Sequence, residues 1–335
     1  MNCPRSRPYA ANKVRPKSKG VVLTYAFDPE IVPLMDQVVS FSIADMAEAR
    51  EISEQMFEAL LIDVDESALD IDDQWIPGHE NSPDVRVRIY RPKNLVERLP
   101  ALLNIHGGGF VLGKLENDHE ASVLLANQLR IVVVSVGYRL APENPYPAGL
   151  NDCYAALSWM SGNSHELGID AARIAVLGHS AGGALAAGLT LLSRDLGGPS
   201  IRFQFLNIPV LDDRMTSKSM NDFVDTPVWF RSNAEFSWRY YLGQFSGDEV
   251  SQYAAPARAS DLKDLPPAYI SAMEFDPLRD EAILYALALL DAGVPVELHV
   301  YPGTYHASEV LLGARVSKRI LEERYLVLKK AFEVD

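Results

Sequence analysis

Alternating and continuous apolar segments divide the chain into recognisable elements. Asp84-Val85-Arg86-Val87-Arg88-Ile89-Tyr90 alternates strictly, which predicts a strand with one wet face, limited by Pro92. The sheet is expected to begin around Trp75. Leu99 to Ile105 is a continuous apolar run, the pattern of a strand covered on both faces. From there the periods alternate: a helix from about Asp118 to Leu129, a strand from Ile131 to Val136, a helix from about Leu150 to Met160, and an apolar strand, Arg173 to Leu177. A buried helix over Gly183 to Leu192 is followed by strands Ile201 to Ile208 and Ala268 to Met273, a helix from about Asp280 to Leu290, a strand from Pro295 to Tyr301 and a last helix. Repeated strand and helix units with apolar strands predict an α/β fold with a mainly parallel central sheet flanked by helices.

Two segments within residues 21–74 read as helices before the sheet. Asp28 and Pro29 suit a helix start, with Ile31, Leu34, Met35, Val38 and Val39 along one face. Asp45 to Leu61 repeats the pattern through Met46, Ala49, Ile52, Met56 and Leu60. Such helices either pad the flank of the sheet or form part of a lid. Between Pro209 and Ala268 the strand rhythm stops and aromatics accumulate: Phe223, Trp229, Phe230, Phe236, Trp238, Tyr240 and Tyr241. An insertion of this length, centred on residues 210–250, reads as a cap over the C-terminal strand edge, lining an apolar pocket. Trp229 and Phe230, beyond Thr226-Pro227 at a helix start, are its candidate substrate contacts.

Composition narrows the classes. A chain of 335 residues, 48% hydrophobic and 23% charged, buries a large core. Its formal net charge of -14 repels phosphate backbones and anionic lipid, so neither nucleic acid nor a membrane surface is an expected partner. The two cysteines, Cys3 and Cys153, have no metal-ligand spacing, and the chain reads as cytoplasmic, with no cofactor or metal expected. Residues 1–20 carry six basic residues, no acid and three prolines, and read as a flexible basic arm, with a targeting signal as the alternative.

The candidate chemistry centres on Gly178-His179-Ser180-Ala181-Gly182, which joins an apolar strand to a helix. Glycines around a serine permit the sharp turn that lifts a hydroxyl to the top of a sheet. A serine needs a base, and among seven histidines only His306 falls just past the last strand, on a C-terminal loop. The base needs an orienting acid. Asp276 follows the strand Ala268 to Met273, ahead of Glu274 as the choice, while Asp280 is expected to cap the next helix. His106-Gly107-Gly108-Gly109 ends another strand, so the N–H groups of Gly107 and Gly108, with that of Ala181, are candidate donors to an oxyanion. His179, next to the serine, is expected to shape the pocket.

Together these residues resemble the hormone-sensitive lipase family of α/β-hydrolases, also called bacterial esterase family IV. The resemblance runs from about Trp75 to His306 and rests on His106-Gly107-Gly108-Gly109-Phe110, Tyr138-Arg139-Leu140-Ala141-Pro142-Glu143, the serine motif and Asp276-Pro277-Leu278-Arg279-Asp280. It implies an α/β-hydrolase fold with a helical cap, with residues 75–335 as the catalytic domain. It implies hydrolysis of short to medium acyl esters through an acyl-enzyme, with Ser180 as nucleophile, His306 as base and Asp276 as its acid. The alternatives are an amidase, lactonase or carbamate hydrolase with the same triad, or a ligand-binding receptor on a hydrolase scaffold. A homodimer is compatible with all of these. Two residues depart from the family pattern: His179 replaces the usual Asp or Thr, and Ala307 the usual Gly.

Overall fold

The computed structural model describes residues 25–60, 62–94 and 97–334, so the expected basic arm lies outside the described residues. In chain order the elements are α1 (Met46–Leu60), β1 (Leu69–Ile76), β2 (Val85–Pro92), β3 (Leu99–Ile105), α2 (His119–Leu129), β4 (Val132–Gly137), α3 (Ala148–Gly162), α4 (Ser164–Leu167), β5 (Ile169–His179) and α5 (Ala181–Asp195). They continue with β6 (Phe203–Asn207), α6 (Lys218–Asp222), α7 (Arg231–Leu242), β7 (Ala268–Phe275), α8 (Arg279–Asp291), β8 (Val296–Tyr305) and α9 (Arg315–Phe332). The strands form one sheet in the order β1-β2-β4-β3-β5-β6-β7-β8. β1 and β2 pair antiparallel, as do β2 and β4, and every later pairing is parallel.

The apolar runs explain the centre of this sheet. All seven residues of β3 are buried, and β5 lies between β3 and β6 with its second half buried. α5, almost wholly buried, packs against β5 and β6, because its Ala and Gly residues let the backbone approach closely. The C-terminal ends of the parallel strands β3, β5, β7 and β8 therefore share one edge of the sheet.

Three expectations are corrected. The sheet starts at Leu69, because Asp70, Asp72 and Asp73 mask an edge strand on which Trp75 is 69% exposed. The first helical segment is only a 3-10 turn, Val32–Gln37. Pro33 lacks the N–H that an α-helix would aim at the Pro29 carbonyl, and Val39 is left exposed. Asp280 does not cap α8: it lies in the first turn, where its carboxylate accepts the backbone N–H of Ser219 at 2.7 Å. Asp45, by contrast, accepts the N–H groups of Ala47 and Glu48 at the start of α1.

The segment after β6 is helical, as its composition suggests, and it is tied to the N-terminal segment. Asn233 on α7 accepts the N–H of Ile43 and donates to the carbonyl of Phe41, and Tyr240 donates to the carbonyl of Ala44. α1 is in turn held to the sheet domain. The Arg50 guanidinium grips both oxygens of Glu143, at 2.7 and 2.8 Å, and donates to the carbonyls of Val111 and Ala141. This bidentate pair holds the Glu143 carboxyl down to about 2.

Candidate active site

β5 ends at His179, and Ser180 turns the chain into α5 with φ 55 and ψ -115, a strained conformation for a residue with a side chain. Close approach fixes the neighbours. A Cβ on Gly178 would lie 2.0 Å from the carbonyl oxygen of Gly182, and one on Gly182 would lie 2.1 Å from that of Ile105. No larger residue fits either position, so the turn locks β5, α5 and β3 together around the serine.

β8 runs to Tyr305, and His306 follows it directly; β7 ends at Phe275, and Asp276 follows. Ser180 Oγ lies 3.0 Å from Nε2 of His306, and Nδ1 of His306 lies 2.6 Å from Oδ2 of Asp276. With Nδ1–H donating to the carboxylate, Nε2 is free to accept the serine proton. The structure thus brings the three residues singled out by sequence into one hydrogen-bonded chain. All three are at most 4% exposed. Glu274, the second choice of acid, instead accepts the N–H of Gly303 at 2.7 Å. Ala307 adopts φ 60, the left-handed region where the family's usual Gly is unstrained.

The loop after β3 lies against this turn. A Cβ on Gly107 would come 3.5 Å from Cβ of Ser180, and the N–H groups of Gly107, Gly108 and Ala181 donate to no acceptor among the described residues. Gly108 has φ 118 and folds back so tightly that a Cβ would meet the Leu112 carbonyl at 2.2 Å. Behind the loop, Tyr138 stacks on His106 at 4.2 Å and donates to its carbonyl, while Arg139 pairs with the buried Asp152. Phe110 also stacks on Tyr241 at 3.9 Å, with Trp238 alongside, so these insertion aromatics pack on the loop after β3. Trp229 reaches further: its ring sits 5.9 Å from that of His306 and against Gly109. Phe230 precedes α7 at its N-cap and is only partly buried.

His179 belongs to a polar cluster that the sequence did not announce. Asn207, at the end of β6, donates to Nδ1 of His179 at 2.6 Å and to Oε1 of Glu309 at 2.8 Å, while its amide oxygen accepts from Ser271 at 2.5 Å. Burial holds the His179 imidazole below its ordinary range. Burial also opposes charge on Glu309, but His179, Arg324, a backbone N–H and Asn207 outweigh it and keep this carboxyl below its usual range. The one sequence signal was an acid three residues beyond His306 in an otherwise apolar stretch. No cluster of metal-ligating side chains occurs among the described residues.

A family described as alpha/beta hydrolase fold matches residues 102–309. The carboxylesterase NlhH of Mycobacterium tuberculosis is 40% identical over 235 residues, covering 68% of this chain and 72% of that protein. The esterase LipI of the same organism is 39% identical over 283 residues, covering 82% and 85%. Among solved structures, a bacterial heroin esterase superposes with a TM-score of 0.90 at 46% identity, covering 92% of this chain and 98% of that one.

Proposed function

Since the chain belongs to the α/β-hydrolase fold family, of the hormone-sensitive lipase or family IV esterase type, and is an esterase of carboxylic esters, we propose that Ser180, His306 and Asp276 carry its reaction. The observation that supports this most is the continuous hydrogen-bonded chain across the ends of β5, β8 and β7. His306 takes the Ser180 proton as Oγ attacks the ester carbonyl, and Asp276 holds the imidazole in the tautomer that permits it. The N–H groups of Gly107, Gly108 and Ala181 receive the oxyanion. His306 then returns the proton to the leaving alcohol, and water repeats the sequence on the acyl-enzyme.

The segment joining residues 40–44 to α7 acts as a cap over the site, and short to medium acyl esters are its substrates. Trp229, lying against His306, bounds the room for them. An intact proton-transfer chain argues against a ligand-binding receptor, in which it has no task. A cytoplasmic location is part of this reading, supported by the buried free thiol of Cys153. So is a homodimer through β8, the sheet edge flanked by exposed Leu284, Leu287, Leu290 and Val300; light scattering tests the mass. Ser180→Ala is expected to lower kcat for p-nitrophenyl butyrate roughly a millionfold. Unchanged turnover would remove Ser180 from the mechanism.

A further inference from the structure

The polar cluster beside Ser180 fixes the direction of every proton in it. Ser271 Oγ accepts the N–H of Ile208 at 3.1 Å, so its own hydroxyl proton goes to Asn207 Oδ1. The amide nitrogen of Asn207 then faces both the Glu309 carboxylate and Nδ1 of His179. Reversing the amide would set its oxygen against a carboxylate that is 2% exposed. Nδ1 of His179 is therefore an acceptor, and in a neutral imidazole the proton must sit on Nε2.

That Nε2–H has no partner among the described residues, and unlike the orphaned Nε2 of His106 it is not sealed from solvent. Of the His179 side chain, 26% is accessible. The Cδ2 atom bonded to Nε2 lies 3.2 Å from where a Cβ on Gly107 would stand, which sets this edge of the ring at the oxyanion loop. The His179 ring also lies 6.5 Å from that of His306, and the oxyanion loop holds the ester carbonyl, so what this edge of the ring meets is the substrate next to that carbonyl, which on its acid side is the acyl chain.

We propose that His179 is a specificity-determining residue whose Nε2–H, aimed by Asn207 and Glu309, hydrogen-bonds an oxygen carried on the acyl chain near the ester carbonyl. The preferred substrates are then esters of alkoxy, hydroxy or keto acids rather than of plain alkanoic acids. This inference rests on the hydrolase mechanism above. It also gives the replacement of an Asp at this position a chemical meaning, since an ionised Asp offers no donor.

The test compares p-nitrophenyl methoxyacetate with p-nitrophenyl butyrate, which differ by an ether oxygen in place of one methylene. The ratio of their kcat/KM values is divided by the ratio of their hydroxide-catalysed rates, which removes the inductive effect of the oxygen. For the wild-type enzyme the corrected ratio is expected near tenfold, the worth of one net hydrogen bond. In His179→Phe and His179→Leu it should fall to about one, whatever the absolute rates. A corrected ratio near one in the wild type, or one that survives either substitution, overturns the proposal. Wild-type enzyme that hydrolyses neither ester would instead count against the hydrolase mechanism, and the two failures are distinct.

Discussion

Asp276 divides its two oxygens between two tasks: Oδ2 meets Nδ1 of His306 at 2.6 Å, and Oδ1 accepts the backbone N–H of Leu278 at 2.9 Å. The second bond fixes the plane of the carboxylate, so only one oxygen faces the ring. Asp276→Asn would keep the shape but offer an amide that favours the wrong tautomer of His306. A fall of about 10⁴ in kcat is expected, with KM little changed. Glu274→Gln, whose amide oxygen still accepts from Gly303, should stay within about threefold of wild type. Steady-state kinetics on both variants separates the two carboxyls.

Arg50 couples α1 to the loop after β3. It donates to the Val111 carbonyl, and Val111 in turn donates its N–H to the Gly108 carbonyl at 3.1 Å. Removing the guanidinium should loosen α1 against the loop after β3 more than it harms the chemistry. For Arg50→Ala we expect KM to rise about three- to tenfold, with kcat within about twofold. Because Glu143 is held down to about 2, the anchor survives mild acid, and the effect should be the same at pH 5 and pH 8.

The three residues of the hydrogen-bonded chain were legible as candidates because each stands directly after a strand, and strand ends can be read from apolar runs. Ser180, Asp276 and His306 follow β5, β7 and β8, and α/β topology brings those ends to one edge. The polar contacts were not legible. Arg50 and Glu143 are 93 residues apart, and Asn207 and Glu309 are 102 apart, with no local period linking them. Acid-rich β1 was missed in part because an edge strand carries charge where a central strand cannot. The turn at Val32–Gln37 was overread because an amphipathic face says nothing about the N–H that Pro33 lacks.

Glu281, in the first turn of α8, is 3% exposed, accepts the N–H of Leu211 at 2.6 Å and leaves its second oxygen without a partner. Burial pushes its carboxyl well above the ordinary 4.5, so folding favours its neutral form. The unfolded chain releases that proton near the ordinary value. Its favourable contribution is therefore complete below 4.5 and drains away as pH rises toward the folded-state value. Glu281→Gln keeps the acceptor and cannot ionise. Thermal melts should show the variant gaining on wild type between pH 5 and pH 8, by at least about 2 °C. A difference in Tm that does not vary with pH would contradict the neutral carboxyl.

Trp229 is buried, yet its indole N–H has no partner among the described residues. Its place is therefore owed to shape: the ring fills the space between Gly109 and His306, tilted by 34° to the imidazole. Trp229→Phe should keep most of that contact and shed an orphaned donor, so stability should change by less than about 1 kcal/mol. Trp229→Ala should cost about 3–5 kcal/mol and open a cavity beside His306. If Trp229 limits the acyl chain, the kcat/KM ratio of p-nitrophenyl octanoate to butyrate should rise at least about fivefold in Trp229→Ala and stay near wild type in Trp229→Phe. An unchanged chain-length profile in the Ala variant would make Trp229 a packing residue alone.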